Sequence, residues 1–159
     1  MRRIINSKKF VPVQWVPMKY EADCWIAACA MALGQTYERI EKSFGSGAEY
    51  SEKVLGIEAE NFGFRIMKNI LKQVTLVHLC AELGYAPILN SEINFEPVEG
   101  RRYLVSVGAN DTDKSYMGHA IVIDEMGKVF DPDPKFDPKN PRYSLEKYTD
   151  VLGWEIVRL

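Results

Sequence analysis

Long apolar runs, a basic excess and paired cysteines are all missing from this sequence. No stretch approaches the ~20 apolar residues that a membrane-spanning helix needs, so none is expected. The formal net charge is −2, and Lys/Arg clusters are confined to "MRR" and "SKK" near the start and "GRRY" at 100–103. Phosphate binding calls for a basic face, which argues against nucleic acid as a partner. Cysteine occurs three times, at Cys24, Cys29 and Cys80. An odd count speaks against a disulfide framework. Spacings of five and fifty-one residues do not match the close cysteine pairs of a zinc site. The opening "MRRIINSKKFVPVQ" has neither the long apolar core nor the small-residue cleavage site of an export signal. A reducing, cytoplasmic compartment is therefore expected, with the thiols serving as core filler or as reactive groups.

What is present describes one ordinary globular domain over residues 1–159, with 47% apolar and 26% charged residues. There is no internal repeat, low-complexity tract or linker. The front half reads helical. Asp23 is placed to cap a helix from Cys24 to Leu33, and Gly34 to stop it. Thr36 caps a second helix, "YERIEKSF", ended by the "GSG" of 45–47, and Ser51 opens a third, "EKVLGIEAENFG". "FRIMKNILKQ" (64–73) fits helix or strand. Thr75 caps "LVHLCAEL", which Gly84 stops. The back half changes period: "RRYLVSVG" (101–108), "HAIVID", "KVFD" and "GWEIVRL" read as strands. Prolines in "DPDPKFDPKNP" interrupt regular structure between the last two. Helices first and antiparallel strands second predict an α+β domain.

Between "HAIVID" and "KVFD" stands the three-residue loop "EMG", suited to a type I turn followed by a left-handed glycine, Gly127. That register pairs Asp124 with Lys128, Ile123 with Val129, Ile121 with Asp131 and His119 with Asp133. Alternation then puts His119, Asp131 and Asp133 on one face, within side-chain reach. A loop one residue longer or shorter would separate them. A carboxylate beside a histidine selects its tautomer and stabilises the imidazolium, which equips it as a general base. The other histidine, His78, sits mid-helix and reads as structural.

Cys24 opens its helix, where the positive end of the macrodipole and the first N–H groups gather. Both favour a thiolate, as does a nearby imidazolium, and helix-start N–H groups supply part of an oxyanion hole. Ala27, Ala28, Ala30 and Ala32 let this helix approach a sheet closely. Free cysteine is otherwise among the most buried residue types, and that reading suits Cys29 and Cys80.

"DCWIAACAMALG" and "GHAIVID…KVFDPDP" resemble the "D-C-G-x-A-A-x-A-M-x-L-G" and "G-H-[FY]-V-V-V…V-x-D-P" segments of papain-like cysteine peptidases, in the bacteriocin-processing (double-glycine) branch and its bacterial and phage relatives. The resemblance implies N-terminal helices, with a central one starting at the cysteine, packed on a C-terminal antiparallel sheet. It implies Cys24 as nucleophile, His119 as general base and Asp131 as the residue orienting His119. Gln14 is the upstream glutamine available for the oxyanion hole, ten residues before the cysteine rather than about six. Trp25 stands where the family has glycine, a change expected to bear on the cleft. The implied activity is cleavage of an amide bond in a peptide or protein through an acyl-enzyme, without metal or organic cofactor. Deamidation or acyl transfer by the same triad, and an inactive binding module, are the alternatives. The loop "GANDTDKSYMG" (108–118) is the candidate for substrate selection or a lid.

Overall fold

The computed structural model describes residues 11–60, 75–90, 95–108 and 119–159. Its helices are α1 (Cys24–Leu33), α2 (Tyr37–Glu41), α3 (Gly47–Glu60) and α4 (residues 75–83). Its strands are β1 (Tyr85–Asn90), β2 (Arg102–Gly108), β3 (His119–Ile123), β4 (Val129–Phe130) and β5 (Thr149–Arg158). They form one sheet in the order β1-β5-β2-β3-β4, antiparallel at every pairing. The architecture is α+β. Among the described residues no helix is long and apolar enough to cross a membrane.

Every residue of α1 is buried. Its alanines leave the helix narrow on all sides, and it lies on β3 and β2. Leu104, Ala120, Val122, Phe130, Trp154 and Ile156 form the sheet face beneath it. The alternate residues Tyr103, Val105, Val107, Ile121, Ile123 and Val129 cluster with Phe95 on the opposite face. Leu76, Leu79 and Cys80 bring α4 into the α1 cluster. Gly34 ends α1 at φ 64°, donating its N–H to the carbonyls of Ala30 and Met31; the left-handed turn costs other residues more.

Several local expectations shift. Thr36 caps α2 by accepting from Arg39 N–H at 3.1 Å, but the helix stops at Glu41, short of Phe44. The third helix begins at Gly47, not after Ser51, because Ser46 Oγ accepts the N–H of Glu49 at 3.1 Å. Ser51 lies inside α3, buried, where its hydroxyl accepts from Ala22 N–H at 2.8 Å and ties α3 to the entry of α1. The last strand starts at Thr149, ahead of "GWEIVRL". β1, "YAPILN", was not expected; its Pro87 is tolerated because the strand is at the sheet's edge. Segment 64–73 and loop residues 109–118 lie outside the described residues.

Arg102 is fully buried, paired with Glu125 Oε1 at 2.6 Å. It donates to the carbonyls of Ala32 (3.2 Å) and Val11 (2.6 Å). A cation at the C-terminal end of α1 meets the negative end of the helix dipole, and it ties β2 to both α1 and the segment ahead of it. Arg102→Met should cost about 3 kcal/mol, since it strands buried acceptors as well as a charge. Urea denaturation of the two proteins measures it.

Candidate active site

The β3–β4 turn sets the geometry. Gly127 adopts φ 83°, and Asp124 Oδ1 accepts the N–H groups of Met126 (2.9 Å) and Lys128 (2.8 Å). Asp124 N–H reaches Lys128 O at 3.0 Å, closing the three-residue loop. Ile123 then pairs with Val129 and Val122 with Phe130, the register expected from "EMG". The ladder ends there, ahead of Pro132 and Pro134.

His119, the first residue of β3, and Asp131, the first after β4, meet diagonally across this hairpin. His119 Nε2 lies 2.5 Å from Asp131 Oδ1. Asp133 is not the partner: its N–H donates to Asp131 Oδ1 at 2.9 Å, and its own carboxylate accepts from Lys135 N–H. Asp131 Oδ2 accepts the Tyr148 hydroxyl at 2.6 Å, and the Arg142 guanidinium stands 4.0 Å away. Burial of Asp131 pushes its carboxyl up, but the bonds from His119, Tyr148 and Asp133 N–H outweigh that and hold it below the usual carboxylate range.

The backbone beside this carboxylate anchors the approach to α1. Trp15 Nε1 donates to Asp131 O at 2.7 Å, and Met18 N–H donates to Pro132 O at 2.8 Å. Trp15 packs on Phe136 with ring centroids 6.1 Å apart. Further along, Asp23 departs from its expected role. It stands at the N-cap position, but its side chain makes no cap hydrogen bond. Wholly buried, it accepts from Lys19 N–H (3.0 Å), Tyr20 N–H (3.1 Å) and the Tyr37 hydroxyl (2.6 Å). The carboxylate thus organises the turn just before Cys24 instead of the helix after it.

Cys24 consequently reaches His119. Its thiol is among the groups that raise the imidazole's pKa, and with Nε2 engaged by Asp131 the ring nitrogen left for sulfur is Nδ1. Burial pushes the His119 imidazole down; the bonds to Asp131 and Cys24, and their negative charge, more than reverse it and raise its pKa to about 10. A charged imidazole and the positive end of α1 both favour a negative sulfur. Cys24 remains 8% exposed, whereas Cys29 and Cys80 are fully buried. Burial pushes the Cys80 thiol up to about 12.

Gln14 is exposed on the extended segment ahead of α1, next to Trp15, whose Nε1 bonds the Asp131 carbonyl. His78 is exposed on α4. Trp25 is a core side chain, buried in a T-shaped contact with Trp154, centroids 5.6 Å apart at 77°. Tyr148, Arg142 and Trp15 were not singled out from the sequence. No motif marks "KYTD" or "PRYS", because their contacts arise only when residues 131–148 fold back beside β4. Among the described residues no group of three or more His, Cys, Asp or Glu is arranged to hold a metal ion.

Iodoacetamide at about pH 6, where ordinary thiols are almost fully protonated, should modify Cys24 at least tenfold faster than Cys29 or Cys80. Peptide mapping by mass spectrometry reads the rates, and equal labelling would remove the case for an activated sulfur. Comparison with known proteins finds no matching family model, curated protein or solved structure.

Proposed function

We propose that this chain is a papain-like thiol hydrolase that cleaves amide bonds in peptides or proteins with a Cys24-His119-Asp131 triad. One observation carries the reading. His119 bonds Asp131 through Nε2 and interacts with Cys24, which stands at the head of a buried helix. A histidine packed for stability alone has no need of a thiol on one nitrogen and a carboxylate on the other.

In the cycle that follows from this arrangement, His119 Nδ1 takes the Cys24 proton and the thiolate attacks the acyl carbon. The oxyanion forms beside the first turn of α1, at the positive end of the helix dipole. The imidazolium then protonates the leaving amine, giving a thioester. Water, deprotonated by His119, attacks that thioester and restores the thiol. Asp131 keeps Nε2 engaged throughout and stabilises the charged ring. Side chains and water account for every proton in the cycle. Gln14 is the further oxyanion donor proposed, on the segment that Trp15 and Met18 bond to the Asp131 and Pro132 carbonyls.

Deamidation and acyl transfer differ from peptide cleavage in what leaves and what attacks the thioester, so one assay separates them. A complex peptide mixture is incubated with the protein or with Cys24→Ala, and new termini, amide-to-acid conversions and amine incorporation are read by mass spectrometry. New termini that require Cys24 are expected. Amide-to-acid conversion alone would reassign the reaction to a deamidase, and no Cys24-dependent product at all would favour a binding module.

His119→Ala should also move the pH profile of Cys24 alkylation up by one unit or more, the size of effect a neighbouring cation has on a thiol. An unchanged profile would show that the two side chains are not coupled.

A further inference from the structure

We propose that Tyr148 is a positioning residue for this reaction, its hydroxyl holding the Asp131 carboxylate turned so that Oδ1 meets His119. The inference rests on the triad reading above and adds to it a residue that no motif marks.

A carboxylate rotates readily about its Cβ–Cγ bond, because that torsion is broad. Here it is held from both sides. Asp133 N–H donates to Oδ1 at 2.9 Å and Tyr148 O–H to Oδ2 at 2.6 Å, leaving Oδ1 directed at His119 Nε2. The Tyr148 hydroxyl is a dependable donor. Burial and the adjacent Asp131 charge push its ionisation well above the ordinary phenol range, so it keeps its proton at any working pH. Its backbone is fixed as well: Tyr148 N–H donates to Leu145 O at 2.9 Å, and Val129 N–H donates to Arg142 O at 2.8 Å, clipping the 131–148 connection to β4. The ring packs against the cluster of Ile121, Ile123 and Val129. Packing explains the ring. It does not explain a hydroxyl aimed at the one carboxylate that touches His119.

The charges around Asp131 are His119 from β3 with Cys24 behind it, and Arg142 at 4.0 Å from Oδ2. Asp133, Lys135, Asp137 and Lys147 line the adjoining cleft of about 360 Å³, two anions against two cations. These offset one another, so the hydroxyl and Arg142 are what single out Oδ2. Removing the hydroxyl leaves burial less opposed, and the carboxyl then takes a proton at higher pH. A protonated Asp131 no longer supports the imidazolium, and the Cys24 thiolate is lost with it.

The test is the acid limb of Cys24 alkylation, which needs no substrate. Tyr148→Phe keeps the ring and should move that limb up by about one pH unit, the scale of one hydrogen bond to a charged group. Replacing Tyr148 with 3,5-difluorotyrosine, a stronger donor of nearly the same shape, should move it down. That second arm serves even if Tyr148→Phe folds poorly. A merely structural tyrosine would alter thermal stability and leave the limb in place. An unmoved limb in both proteins, while His119→Ala shifts it, overturns the role of Tyr148 and leaves the triad standing. If His119→Ala also leaves the limb unmoved, the triad reading itself fails.

Discussion

Close approach of α1 to the sheet is the constraint on which the rest of this molecule depends. A helix buried over its whole length must present small side chains to several neighbours at once, and Ala27, Ala28, Ala30 and Ala32 do so. Larger residues at those positions would lift the helix off β3 and carry its first residue away from the imidazole. Arg102 holds the far end of the same helix through the Ala32 carbonyl. Asp23 and Ser51 hold the turn that leads into its near end. The position of Cys24 is thus determined at both ends of α1 rather than by contacts of the sulfur alone.

The candidate triad is assembled from termini. Cys24 begins α1, His119 begins β3 and Asp131 follows β4. Alternation along β3 assigns His119 to the same side as Ile121 and Ile123, away from Ala120 and Val122, which face α1. A cysteine in the middle of α1 would face the Ala120 and Val122 side, across the strand from the imidazole. At the head of the helix, beyond the packed layer, the two side chains can meet. Cys29, one and a half turns further along, has no such route and serves as packing.

The electrostatics follow from burial. Asp131 is nearly inaccessible, so its charge persists only because His119, Tyr148 and the Asp133 N–H replace water around it. In return it raises the pKa of the half-buried imidazole, and an imidazolium disposes the sulfur beside it to carry the opposite sign. Each member of the chain from Tyr148 to Cys24 is costly to bury by itself and acceptable with its neighbours. Such a network transmits a change at one end to the other, which is why a tyrosine on the far side of the carboxylate has a bearing on the thiol.

Local signals made much of this legible. The ends of α1 follow from a run of small apolar residues and from Gly34, and the register of the β3–β4 hairpin follows from a three-residue loop ending in Gly127. That register alone brings His119 and Asp131 into reach, because a strand's side chains alternate with a fixed period. Caps and turns act over three or four residues, and a sequence states them directly. The burial of Arg102, the use of Asp23 for a preceding turn, the edge strand β1 and the donor Tyr148 depend on residues tens of positions away. Their side chains look the same on paper whether they meet water or a buried carboxylate. Sequence by itself determined how the hairpin aligns His119 with Asp131 and that Cys24 opens a helix of small apolar residues. Only the tertiary structure decided that helix and hairpin meet end to end, because that meeting rests on how closely α1 packs and on what stitches its approach to the residues after β4.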